Sequence, residues 1–102
     1  MEPFDIWLAK LTWNNCSDAR PWLIVDQWQE HILGCFPITS QCYEGSCFLI
    51  SSEHPDFEAT GLPHTSFIHD ERIYQLHEKM FIRHFGLLHG NLLQEFRNFA
   101  GL

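Results

Sequence analysis

The sequence predicts a mainly β fold with some α, a small β-barrel closed by a C-terminal helix, as one domain spanning residues 1–102. Three observations lead there. Short strand-like runs recur with turn chemistry between them. The hydrophobic period changes from two toward the helical value near residue 77. A chain of 102 residues holds one core and little more. Many short strands followed by terminal helix describe a small barrel with a helical cap.

Taken in order, residues 4–11, FDIWLAKL, read as a strand in which Phe4, Ile6 and Leu8 share one face and Asp5 and Lys10 the other. TWNNCSDA follows as a loop, because Asn-Asn and Ser-Asp pairs compete with ladder hydrogen bonds. RPWLIV is a second strand, with Pro21 tolerable only at its start or on an edge. DQWQE reads as a polar tip turning into a third strand, HILGCFPIT. There Gly34 signals a bulge or a close backbone approach, and Pro37 an edge or a bend. SQCYEGS is a turn and CFLIS a fourth strand, and SEHPDFEATGLPH is a surface loop. TSFIHD and RIYQL are two further strands. HEKMFIRHFG reads as a short helix stopped by Gly86. HGNLLQEFRNFAG reads as a second helix, with His89 or Asn91 near its N-cap and Leu92, Leu93, Phe96 and Phe99 forming its apolar stripe.

Composition sets limits on function. Apolar residues make up 45% of the chain and aromatics 15%, so a packed core is expected and disorder is not. No apolar run approaches the ~20 residues of a membrane span. The N-terminal MEPFDIW is unlike a secretory leader, so a cytoplasmic location is expected. Cys16, Cys35, Cys42 and Cys47 match no zinc knuckle and form no CxxC, which favours reduced thiols over a metal site or a disulfide. The net charge of −7, thirteen acids against six basic residues, argues against broad duplex binding through many phosphate contacts.

The pieces PFDIWLAKL, RPWLIV, FPITSQ, TGLPHTSFI and FIRHFGLLHGNLLQEF occur in an order that resembles the MazF/PemK family of toxin ribonucleases from type II toxin–antitoxin systems. The similarity runs along nearly the whole chain. It implies an SH3-like barrel of the PemK/MazF/CcdB kind, assembled as a homodimer and inhibited by a cognate antitoxin protein. It implies cleavage of single-stranded RNA with no metal or other cofactor: the RNA 2′-hydroxyl attacks the neighbouring phosphate, and the strand leaves through a cyclic phosphate. Carried over position by position, the family's facing Arg and Thr are Arg20 and Thr39, expected as catalytic residues. Ser40, Gln41, Glu71 and Trp13 are expected to contact RNA. In this chain Pro3-Phe4-Asp5 replaces the family's basic-Gly-Asp opening, and Tyr74 stands where some members have an Arg. Arg72, two residues earlier, is expected on the same face as Tyr74.

These residue types suit that reaction. A guanidinium offers forked donors that match a phosphate, and Thr adds a neutral hydroxyl. Donors fixed toward developing charge each contribute roughly 3–4 kcal/mol. Guanidinium groups lose their proton only above about pH 12, so the role expected of Arg20 is electrostatic stabilisation. A structural alternative pairs Arg20 with Asp18 or Asp26 and makes Thr39 a strand-end cap. Ser40 and Gln41 are equally read as turn residues. Trp13 and Trp28, placed in the first two loops, would stack on bases or plug a barrel mouth or dimer contact. The seven histidines are expected to be scattered surface groups, although His64 and His69 flank TSFI and could meet across a turn. A second function fits the same sequence: a catalytically inactive binding or regulatory module, favoured by the acidic charge and by Tyr74.

Overall fold

The computed structural model describes residues 1–11, 19–42 and 45–102. Seven antiparallel strands and one helix follow in order: β1 (Asp5–Lys10), β2 (Ala19–Gln29), β3 (Ile32–Thr39), β4 (Cys47–Ile50), β5 (Ser66–His69), β6 (Tyr74–His77), β7 (Phe81–Leu87) and α1 (Gly90–Ala100). The strands form one ladder, β4-β5-β3-β2-β1-β7, with β6 also paired to β3. The mainly β fold with a C-terminal helix is thus as expected. The edge strands β4 and β7 are not joined, so the sheet does not close into a hydrogen-bonded barrel.

Two clusters of buried side chains explain the apolar runs in β2 and β3. Leu23, Phe36 and Ile38 join Ile6, Ile50, Ile68, Leu92 and Phe96 beneath α1. Trp22, Ile24, Leu33 and Cys35 join Ala9 and Leu76 on the other face. Strands buried on both faces have no need of polar alternation. β1 departs from the simple period of two, because register shifts after Ile6 and Leu8 re-aim the chain. Ile6 and Ala9 are its buried residues, and Leu8 is only half-buried.

Phe4 has a φ of +71°, one that glycine adopts freely and other residues rarely. Its N–H donates to Ile24 O and its carbonyl accepts from Leu88 N. These bonds hold a strained residue, at a cost of order 1–3 kcal/mol.

Four expectations are corrected. DQWQ belongs to β2, and the hairpin turn is at Glu30-His31, where His31 has φ +72°. Trp28 therefore lies in a strand, at a register shift. Its indole covers Gly34, where a Cβ would come within 2.9 Å of the ring. The segment predicted as a helix over 77–86 is instead a 3₁₀ turn, Glu78–Met80, followed by β7. β1 offers an open edge there, and pairing with it outweighs a helix too short to be stable alone. Gly86 is no helix stop: it is a buried strand residue pressed against the backbone of Ala59 and Thr60. Finally, Cys42 and Cys47 are joined in a disulfide across the loop from β3 to β4, their Cα atoms 6.3 Å apart. A five-residue spacing matches no metal motif, but a loop returning toward its own start brings the two thiols together.

Helix α1 begins after His89, which gives no side-chain cap. Asp56, from the loop after β4, accepts the Leu92 N–H at 3.2 Å in its place, an anion at the positive end of the helix. Leu92 and Phe96 are buried, whereas Phe99 of the predicted stripe is 41% exposed. Phe96 makes edge contacts with Phe36 and Phe48, at centroid distances of 6.3 and 5.3 Å. Replacing Phe96 by Ala is expected to destabilise the fold by about 3–5 kcal/mol, read as a lower urea midpoint with an unchanged slope.

Burial pushes the Cys35 thiol up to about 12, from 9.0. Only the unfolded chain then releases this proton as pH rises from 9.0 toward 12, so the thiol's contribution to stability declines across that interval. At about pH 8, iodoacetamide should leave Cys35 unmodified in the native protein and label it after unfolding. Peptide mapping checks this outcome.

Candidate functional site

The two prolines singled out in the sequence decide where a cleft opens. The β2–β3 ladder runs from Gln29↔Ile32 to Trp22↔Pro37 and ends there. Pro21 has no N–H to continue it, and from this point Ala19-Arg20 leans on β1 alone, through Lys10↔Ala19 and Ala9↔Arg20. On the other side, β3 exchanges one partner for another. It pairs with β6 as far as Cys35 and with β5 from Ile38, so Pro37 falls in the gap where no N–H is required. Pro37 was expected on an edge or at a bend; it marks the partner exchange within a central strand.

Beyond the last ladder rung the ends of β2 and β3 border a cleft of about 550 Å³. Arg20 and Pro21 form one bank, and Ile38, Thr39 and Ser40 the other. Leu62, Pro63 and Phe85 supply an apolar wall. Two neighbouring hollows share Arg20, Thr39 and His69: one of about 500 Å³ reaches Ser40 and Gln41, and one of about 260 Å³ reaches Glu71, Arg72 and Tyr74. The structure therefore sets Arg20 and Thr39 on all three hollows, Ser40 and Gln41 on one of the smaller two and Glu71 on the other. Trp13, the remaining expected contact, lies outside the described residues.

Each side chain has identifiable partners. Arg20 is exposed, and among the described residues it forms no ion pair; Asp26 instead accepts its neighbour's N–H, from Gln27 at 2.8 Å. The Thr39 hydroxyl is 2.6 Å from Gln41 O and 2.6 Å from His69 Nε2. Glu71 accepts the Ser46 N–H at 2.6 Å and so ties the disulfide loop to the cleft margin. Tyr74 is a platform. Its ring packs edge-on against buried Trp22 at 5.4 Å, and the Arg72 guanidinium lies 5.0 Å from its centroid. A second cation is thus held at the cleft by stacking on the Tyr74 ring, although Arg72 itself precedes β6.

Sequence reasoning missed His69 as a site residue and placed it with scattered surface histidines. It is part-buried, with Nε2 also 3.2 Å from Gln41 O and Nδ1 3.7 Å from Cys47 Sγ. The signal lies in strand register: Thr39 pairs with Phe67, which puts His69, two residues on, on the same face diagonally. Spacing alone does not give that register. His64 and His69 do not meet; His64 lines the large cleft and His69 the two smaller ones. His77 and His84 share no helix: one stacks on His31 at 5.9 Å and the other on Trp7 at 5.1 Å.

Among the described residues, no group of three or more His, Cys, Asp or Glu side chains is placed to hold a metal ion. No described helix is long and apolar enough to cross a membrane.

No family model matches the sequence, and no curated protein is similar to it. The fold is shared with a solved endoribonuclease in complex with its cognate antitoxin, from a mycobacterial species. The TM-score is 0.69 at 14% identity, covering 98% of this chain and 87% of that one. At this identity the likeness is one of fold.

Proposed function

We propose that this protein is a metal-independent endoribonuclease of the MazF/PemK kind, the toxin of a type II toxin–antitoxin pair acting on single-stranded RNA in the cytoplasm. The observation that carries this reading is the convergence of Arg20 and Thr39 on one cleft, opened where two prolines end the β2–β3 ladder. The shared fold of an antitoxin-bound endoribonuclease supports it. The cleft is apolar on one wall, through Leu62, Pro63 and Phe85, which suits contact with unstacked bases.

The reaction begins when the 2′-oxygen attacks the adjacent phosphorus and builds negative charge on the non-bridging oxygens. Arg20 meets that charge with forked donors, and Arg72 on its Tyr74 platform adds a second guanidinium. Thr39, on the opposite bank, holds its hydroxyl between Gln41 O and His69 Nε2 and so positions that side of the cleft. Ser40 and Gln41 line the continuation of the groove and contact the nucleotides beside the cut. Glu71 holds the 42–47 loop through Ser46, which shapes that end of the groove. The active unit is a homodimer, and a cognate antitoxin inhibits by covering the same groove. With a net charge of −7, this toxin favours an antitoxin segment that docks through apolar contacts over an acidic one.

The same net charge favours a second reading, in which the groove binds and does not cut. One experiment separates the two. In EDTA, the wild-type protein is expected to cut a long single-stranded RNA at a few short sites, leaving cyclic phosphate ends. Arg20→Ala and Thr39→Ala should each lose about 100-fold or more in rate while keeping the wild-type melting temperature. No cutting by folded wild-type protein would establish the binding module instead.

A further inference from the structure

Metal-free strand cleavage needs a proton donor for the departing 5′-oxygen, and neither Arg20 nor Thr39 is suited to supply it. Guanidinium groups hold their protons far above neutral pH, and an alcohol is a weak acid. We propose that His69 is the general acid of this site, delivering its Nε2 proton to the leaving 5′-oxygen. The inference rests on the ribonuclease reading above and adds a catalytic residue to it.

The hydrogen-bond pattern around His69 fixes where its protons sit. Gln41 O can only accept, and it lies 2.6 Å from Thr39 Oγ1. The Thr39 hydroxyl must therefore donate to that carbonyl, because two acceptors at this distance would repel each other. Oγ1 then has lone pairs free for His69 Nε2, also 2.6 Å away, so Nε2 carries a proton. At the other end of the ring, Nδ1 is 3.7 Å from Cys47 Sγ. That sulfur is in a disulfide, has no proton and can only accept, so it tolerates Nδ1–H in both charge states. The arrangement admits an imidazolium that gives up its Nε2 proton and remains as the neutral Nδ1–H tautomer.

The ring lines two of the three hollows that Arg20 borders, so a phosphate held by Arg20 in either of those two lies within the space that His69 borders. The charged and titratable groups around it are Arg20, Glu71, Arg72 and Tyr74 across the hollow, with Asp70 next in the chain. Cys47, on the β4 side, is disulfide-bonded and does not titrate. In the step itself, a 2′-oxygen lone pair forms the new bond to phosphorus and the 2′-hydroxyl proton passes to solvent water. The bond from phosphorus to the 5′-oxygen breaks, its electron pair staying on that oxygen. The His69 Nε2 proton joins it to give a 5′-hydroxyl, and solvent water reprotonates the imidazole.

The test compares ordinary RNA with RNA whose leaving 5′-oxygen at the cut site is replaced by sulfur, a leaving group that needs no proton. His69→Gln should lose about 100-fold or more on ordinary RNA and stay within about tenfold of wild type on the sulfur substrate. The wild-type pH–rate profile on ordinary RNA should differ from that on the sulfur substrate, whose leaving group needs no proton. Equal losses on both substrates would assign His69 a structural role and overturn the inference alone. Should His69→Gln fail to fold, the wild-type pH profiles decide: the same profile on both substrates overturns it. If wild-type protein cuts neither substrate, the ribonuclease reading falls and this inference with it.

Discussion

The last rung of the β2–β3 ladder, Trp22↔Pro37, is the constraint on which the rest of the molecule turns. β2 and β3 are buried on both faces and feed both core clusters, so this pair could not diverge early without exposing the centre of the protein. It diverges where two prolines make continued pairing impossible. Everything past that rung becomes groove: Arg20 on a strand end supported by β1, and Thr39 on a strand end supported by β5. A lone Arg ahead of one apolar run and a hydroxyl pair behind the next thus have a single cause.

The partner exchange of β3 also explains how so small a chain makes two cores. By giving one flank to β6 and then to β5, β3 bends the sheet around itself without a closed barrel. The open ends are covered differently. Packing of α1 against the β4 side is secured through Phe48 and Phe96. The helix owes its start to Asp56, whose position depends on the loop between β4 and β5. The groove is shaped from the same side, since Leu62 and Pro63 in that loop form its apolar wall.

What was legible in the sequence follows from which interactions are local. β2, β3 and α1 were readable because their apolar runs or stripes directly record burial. Arg20 and Thr39 were singled out through the resemblance that RPWLIV and FPITSQ carry, not from their own surroundings, and both border one cleft. The 77–86 segment was misread because its state depends on a distant edge, that of β1, which local pattern does not encode. Gly86 sent a false stop signal for the same reason, since the backbone it accommodates belongs to residues 59 and 60. His69 and the Cys42–Cys47 disulfide were missed because each is defined by cross-strand or loop-closing geometry rather than by a motif.

The acids of this chain do not crowd the groove, and their placement among the described residues is uneven. Several acids are matched with histidines elsewhere on the surface: His31 with Glu30 and Glu78, His54 with Asp56 and Glu95, His84 with Asp5, and His89 with Asp56. These contacts account for four of the seven histidines, and His77 accepts the Lys79 N–H and stacks on His31. The two that remain, His64 and His69, are the two that line the groove. There they join Arg20 and Arg72, with Glu71, whose carboxylate is engaged by a backbone N–H, on the rim and Asp70 next to His69 in the chain. Screening limits distant charges to about 8 Å in physiological salt, so the net field governs encounter while this local set governs what happens after it. The acidic composition and the cationic groove are then compatible, because they act over different distances.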